Sequence, residues 1–172
     1  MSHLADPPTP RVLVITVSDR AAHGGREDRS GPRLVELLSE AGYETTGPRV
    51  VVDGVEPVSE ELRAGIDEGF GVIVTTGGTG VSPRDFTPEA TSSFVTCELH
   101  GVAEHLRREG TRHTPLAVLS RGVIGVADAT EDGAVGTLLV NLPGSVKGVE
   151  QSTQALLPLL PHILSQIVGF DH

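Results

Sequence analysis

Apolar residues along this chain fall into two alternating kinds of stretch. The first kind is short and nearly unbroken: RVLVITV (Arg11 to Val17), PRVVVD (Pro48 to Asp53) and GVIVTT (Gly71 to Thr76). In the first of these, consecutive apolar, β-branched positions predict a strand covered on both faces, and the other two read as the second and third strands. In the second kind, apolar residues recur at three- and four-residue spacing. SGPRLVELLSEAG predicts a helix with Ser30 as cap, Leu34, Leu37, Leu38 and Ala41 on one face, and Gly42 as its stop. EPVSEELRAGIDEG predicts another, with Val58, Leu62 and Ile66 on one side. Further on, Thr87 as cap, Pro88 at the first helical position and Glu89 in the first turn predict a helix start. GVAEHLRREG predicts a further helical turn or two. PLAVLS and GTLLVN (Gly136 to Asn141) read as two more strands, with GVIGV as a short one between them. The final stretch, Val146 to Ile167, is helical in period, and Pro158 and Pro161 predict a kink or break within it.

Strands alternating with helices, and apolar throughout, predict an α/β domain with a mostly parallel sheet covered on both faces. Residues 1–10 read as a frayed lead-in and 11–168 as a single domain, without internal repeats. Such folds bind ligands outside the carboxyl ends of their strands. The polar residues of interest fall at such ends: Ser18 and Asp19, Asp53, the loop TTGGTGVSPRD (Thr75 to Asp85), Ser120 and Arg121, and NLPGS (Asn141 to Ser145).

The glycine loop lacks the lysine of a Walker A motif and is not GxGxxG. Gly77, Gly78, Thr79 and Gly80 can nevertheless aim backbone N–H groups and one hydroxyl at an anion, with a plain connecting turn as the alternative. Asp53 and Asp85, read at adjacent strand ends beside that loop, suit Mg²⁺, which takes oxygen ligands shared between carboxylates and phosphates. Arg84 reads either as a phosphate ligand or as a surface ion pair. Ser120 has no surrounding nucleophile elbow, so its hydroxyl is read as a hydrogen-bonding group toward a ligand. Pro143, Gly144 and Ser145 read as a second anion site at a helix start or as a simple turn and cap.

Composition narrows this picture. The chain has 172 residues and a net charge of −10, with no Trp, one Tyr and four Phe, the opposite of a nucleic-acid-binding surface. No apolar run reaches the roughly 18 residues of a membrane span. The N-terminal decapeptide lacks the charged and apolar regions of a secretory signal, and the expected compartment is the cytoplasm. Cys97 is the one cysteine, so cysteine-based zinc sites are excluded; in an apolar run it reads as a buried, inert thiol. The seven histidines show no ligand spacing and read as structural or solvated.

TTGGTGVSPRDFTPEAT (Thr75 to Thr91), SDR (Ser18 to Arg20), LSR (Leu119 to Arg121) and NLPGS together resemble the MogA/MoaB family of molybdenum-cofactor biosynthesis proteins, from about Arg11 to Gln166. The glycine stretch is shared with the wider superfamily that includes MoeA, gephyrin and CinA. The resemblance implies a three-layer α/β/α sandwich, a homotrimer, contact with a molybdenum insertase, and Mg²⁺-ATP-dependent adenylylation of molybdopterin. By motif, Asp53 and Asp85 serve Mg²⁺-ATP, Ser120 and Arg121 fall in a molybdopterin-associated segment, and Ser18, Thr87 and Glu104 join the binding set. A non-catalytic molybdopterin carrier of MoaB type is the alternative the same resemblance allows. Two departures stand out: HGVAE (His100 to Glu104) retains Gly101 and Glu104 but carries His100 where the family pattern has proline, and an acidic hairpin is expected over 127–135.

Overall fold

In the computed structural model, which describes residues 9–127 and 135–169, one six-stranded sheet organises the chain. Its strands are β1 (Val12–Val17), β2 (Thr45–Val51), β3 (Val72–Thr76), β4 (Cys97–Glu98), β5 (Ile124–Ala127) and β6 (Thr137–Leu142). The helices among the described residues are α1 (Asp19–Ala22), α2 (Ser30–Glu40), α3 (Val55–Asp67), α4 (Thr87–Ser92), α5 (His100–Thr111), α6 (Val146–Leu156) and α7 (Leu160–Ile167), with a 3-10 helix at Pro115–Leu119. The strand order is β2-β1-β3-β6-β5-β4. The first four in that order run parallel; β5 is antiparallel to β6, and β4 to β5.

Period-two alternation within the apolar strands produces the layers. Val12 and Val14 of β1 pack with Leu34, Leu38, Leu106, Val149, Leu156 and Leu160, beneath α2, α5, α6 and α7. Leu13, Ile15 and Val17 face the other way, onto Val58, Leu62 and Ala90 of α3 and α4. The result is the expected three-layer α/β/α arrangement. The break predicted by Pro158 and Pro161 is present, between α6 and α7.

Several local expectations are corrected. PLAVLS is not a strand: Thr114 accepts a hydrogen bond from the Leu116 amide (3.4 Å), Pro115 opens the turn, and the five residues close as a 3-10 helix with Leu116, Val118 and Leu119 exposed. Ser30 does not cap α2; the Asp28 carboxylate does, accepting from the Gly31 amide (3.0 Å) and the Ser30 hydroxyl (3.3 Å). Ala41 follows α2 and is exposed. Cys97 is exposed on the edge strand β4, not buried. Most of the expected acidic hairpin, 128–134, lies outside the described residues.

The chain runs from β1 to β2 on one side and then to β3 on the other. A crevice therefore opens between the carboxyl ends of β1 and β3, where the connections diverge.

Candidate active site

A cavity of about 1080 Å³ occupies that crevice. Of the residues singled out from sequence, Ser18, Asp53, Gly77, Gly78, Gly80, Asp85, Ser120, Pro143, Gly144 and Ser145 line it. Thr79, Arg84, Thr87, Glu104 and Arg121 do not.

The glycine loop is shaped by contacts that leave no room for a side chain. Gly77 has φ +104°, and a Cβ there would lie 2.2 Å from the Val17 carbonyl oxygen. Gly78 has φ +63°, and its Cβ would meet Thr87 Oγ1 at 2.2 Å and Asp53 Oδ1 at 3.2 Å. These two positions need both the left-handed conformation and the missing Cβ, which only glycine combines without strain. The Gly77 amide donates to Leu142 O (3.1 Å). The amides of Gly78, Thr79 and Gly80 have no acceptor among the described residues. Thr87, expected to cap α4, instead turns back and donates to Gly77 O (2.9 Å), tying the helix start to the loop from inside.

Asp53 and Asp85 come from loops after β2 and β3, which flank β1 and are not neighbours. The intervening β1 supplies a third carboxylate that sequence reasoning placed at a strand end but did not assign to the site. The Asp19 amide donates to Asp53 Oδ2 (2.9 Å), and the Asp53 amide donates to Asp19 Oδ1 (3.1 Å). Arg84 donates to Asp19 Oδ2 (2.6 Å), so of its two readings the ion pair is the one formed. The signal for Asp19 was topological: a carboxylate following the strand between two others stands between their loops.

Burial pushes the Asp53 carboxyl above the ordinary aspartate value, and the negative charges of Asp19 and Asp85 push the same way. The Asp19 amide and Arg84 oppose them. A carboxylate held under that load gains from a cation. Asp85 borders the loop from the other side, where a Cβ on Gly80 would lie 2.7 Å from its Oδ2. Two oxygen donors facing one cavity beside unbonded amides fit Mg²⁺, whose other ligands would be phosphate oxygens and water. No group of three or more His, Cys, Asp or Glu among the described residues is placed to hold a metal by itself.

Arg121 was expected to face a ligand and faces the protein. Its Nε donates to Gly80 O (2.7 Å), Nη2 to Asp85 O (2.6 Å) and Nη1 to the Glu89 carboxylate, holding that acid below its usual range. Glu104 is exposed on α5, away from the cavity. Ser120 accepts weakly from the Gly122 amide (3.4 Å) at the cavity wall. Ser18 caps α1 through Ala21 N (3.2 Å), and Ser145 caps α6 through Gly148 N (3.0 Å). The NLPGS segment is thus a turn and cap whose residues also line the cavity. Two cations missed from sequence, Arg26 and Lys147, line the same cavity and make no ion pair or side-chain hydrogen bond among the described residues. Lys147 is the one lysine in the chain, a signal the composition already held.

Comparison with known proteins bears on the family and the fold. Residues 13–162 match the family model described as "Probable molybdopterin binding domain". The chain is 39% identical over 161 residues to "Molybdenum cofactor synthesis protein cinnamon" of Drosophila melanogaster, a match covering 92% of this chain and 25% of that one. It thus spans about a quarter of that curated relative. It is 37% identical to "Molybdopterin adenylyltransferase" of Pyrococcus furiosus, over 92% of this chain and 91% of that protein. The crystal structure of the "Molybdopterin biosynthesis enzyme MoaB" from Thermus thermophilus superposes with a TM-score of 0.83 at 42% identity, covering 94% of this chain and 98% of that one. By that family match and these likenesses in sequence and fold, the chain belongs to the molybdopterin-binding domain family of molybdenum-cofactor biosynthesis.

Proposed function

We propose that this protein is a molybdopterin adenylyltransferase. In the reaction an oxygen of the molybdopterin terminal phosphate attacks the α-phosphorus of ATP. The new P–O bond forms as the α–β bridging P–O bond breaks, giving adenylyl-molybdopterin and pyrophosphate. The observation that carries the reading is that Asp53, against Gly78, and Asp85, against Gly80, line one cavity beside the glycine loop.

Phosphoryl and nucleotidyl transfers depend chiefly on alignment and charge neutralisation. No protein nucleophile is required, and Ser120 is not activated by a neighbouring base. The unbonded amides of Gly78, Thr79 and Gly80 offer dipoles for phosphate oxygens. Asp53 and Asp85 would hold Mg²⁺, which when bound neutralises charge on the triphosphate. Arg26 and Lys147 bring positive potential to the cavity lining, against the net charge of −10. Ser18 and Ser120 offer hydroxyls along the walls.

The homotrimer belongs to the same proposal. Leu116, Val118, Leu119 and Val81 are each more than half exposed, an apolar surface of the kind that protein contacts cover. Sedimentation that found only a monomer would remove the trimer. Contact with a molybdenum insertase and a cytoplasmic location are proposed with it; among the described residues no helix is long and apolar enough to cross a membrane.

The decisive assay incubates purified protein with molybdopterin, ATP and Mg²⁺. Release of pyrophosphate in step with adenylyl-molybdopterin is expected. Molybdopterin binding that is indifferent to ATP and Mg²⁺, with no pyrophosphate formed, would overturn the reading in favour of a carrier.

A further inference from the structure

Between Gly80 and Phe86 the chain makes a self-contained turn. The Asp85 amide donates to Ser82 O (3.0 Å), and the Ser82 amide donates to Asp85 Oδ2 (2.9 Å). Neither bond ties the turn to the domain. Two arginines do so among the described residues. Arg84 reaches outward to Asp19 with a side chain 76% exposed. Arg121 reaches in from the other side and grips the turn at its two ends, Gly80 O and Asp85 O, while its own amide donates to Thr79 O (2.8 Å). Its remaining guanidinium nitrogen is held by Glu89 of α4. All three nitrogens are engaged with protein, and the side chain does not line the cavity.

We infer that Arg121 is a positioning residue: it fixes the Asp85 carboxylate and the Gly80 peptide relative to one another, and acts on the nucleotide only through them. The inference rests on the adenylyltransferase reading. Its physical basis is the guanidinium fork. A planar group with donors at fixed angles sets the separation of two carbonyls, which a lysine, a single mobile point charge, cannot do. Glu89 completes the device by fixing the plane of the fork. A group misplaced by about 1 Å loses roughly 100-fold in rate where alignment carries the catalysis.

The test compares Arg121→Ala, Arg121→Lys, Asp85→Asn and the Arg121→Ala/Asp85→Asn pair in the full chain. Adenylylation rate, KM for molybdopterin, and amide hydrogen exchange across residues 79–86 are measured for each. Arg121→Ala is expected to lower kcat by about 30- to 100-fold with KM for molybdopterin within about twofold, and Arg121→Lys to recover little of the loss. Because Arg121 acts in part through Asp85, the double variant should lose clearly less than the product of the two single losses. In Arg121→Lys, exchange at 79–86 should accelerate while the strands keep their protection. Losses that multiply in the double variant, full activity in Arg121→Lys, or unchanged exchange at 79–86 would each overturn the inference. If wild-type protein forms no adenylyl-molybdopterin, the functional reading fails by itself, and the exchange measurement still decides whether Arg121 holds the turn. Should Arg121→Ala fail to fold, Arg121→Lys carries the same exchange comparison.

Discussion

The two sides of the cavity are built on opposite principles. On the glycine-loop side the side chains of Thr87, Arg121, Asp19 and Asp53 are committed, and the amides of Gly78, Thr79 and Gly80 are left without an acceptor among the described residues. Thr87 ties α4 to Gly77, Arg121 grips Gly80 and Asp85, and Asp19 and Asp53 hold each other's amides. Behind them Asn141 donates to Thr75 Oγ1 and Thr91 Oγ1 (both 2.9 Å) and accepts from the Val123 amide (3.1 Å), a buried network with its donors and acceptor used. Elsewhere in the lining Arg26 and Lys147 form an open wall, with no ion pair or side-chain hydrogen bond among the described residues. The lesson is a division of labour that the proposed reaction can use: a fixed wall suited to aligning phosphates, and an open wall suited to receiving charge. Alignment tolerates little displacement, whereas reception is a matter of potential and area.

The largest expected effect breaks the fixed wall at its carboxylate. Asp85→Asn should lower turnover by about 100-fold or more, since one metal-facing charge is lost, with molybdopterin binding largely retained. Steady-state kinetics beside calorimetry separates the two; surviving turnover would remove Asp85 from the nucleotide site. Next comes the support behind the wall. Asn141→Ala leaves buried Thr75, Thr91 and the Val123 amide without this partner and should destabilise the domain by about 2–4 kcal/mol, read by denaturant unfolding.

Some of this contrast was legible in the sequence. The apolar runs at Arg11 to Val17 and Gly71 to Thr76 identified strands because unbroken β-branched stretches bury on both faces, and the strand-end rule then collected Asp53, Asp85 and the glycine loop. PLAVL misled for a physical reason: five apolar residues have no distinguishing period, and Thr114-Pro115 chose a 3-10 turn. Thr87, Ser30 and Arg121 were placed in the right neighbourhood with the wrong partner. Residue type announces a cap or an anion ligand, but side-chain direction is set by which loop lies opposite, and that is tertiary. Asp19 escaped for the same reason, since its place beside Asp53 follows from strand order.

The open wall should respond more gently. Lys147→Gln is expected to raise KM about fivefold while leaving kcat within about twofold, and the difference from wild type should shrink as salt screens the exposed charge. A fall in kcat alone would move Lys147 to the aligning side. The smallest effect is on stability and has the opposite sign. The Asp53 carboxyl titrates above its unfolded value of 3.8 in the folded chain, so the folded state prefers it protonated. Its favourable contribution is complete below pH 3.8 and is lost as pH rises through the folded-state value; at neutral pH the ionised group opposes folding. Asp53→Asn should therefore raise the Tm of the ligand-free protein by about 1–3 °C at pH 7, with the two proteins converging in acid. Mg²⁺-ATP should stabilise wild type and not the variant. Destabilisation by Asp53→Asn at pH 7 would contradict the burial account of this carboxyl.

The central claim is that Asp53 and Asp85, both beside the glycine loop and lining one cavity, serve one metal ion on the nucleotide. A crystal structure with Mg²⁺ and a non-hydrolysable ATP analogue tests it most directly. Both carboxylates should reach the same Mg²⁺, with the Gly78–Gly80 amides on phosphate oxygens and Arg121 still on Gly80 and Asp85. A metal that engages neither aspartate, or a nucleotide seated outside this cavity, would contradict it.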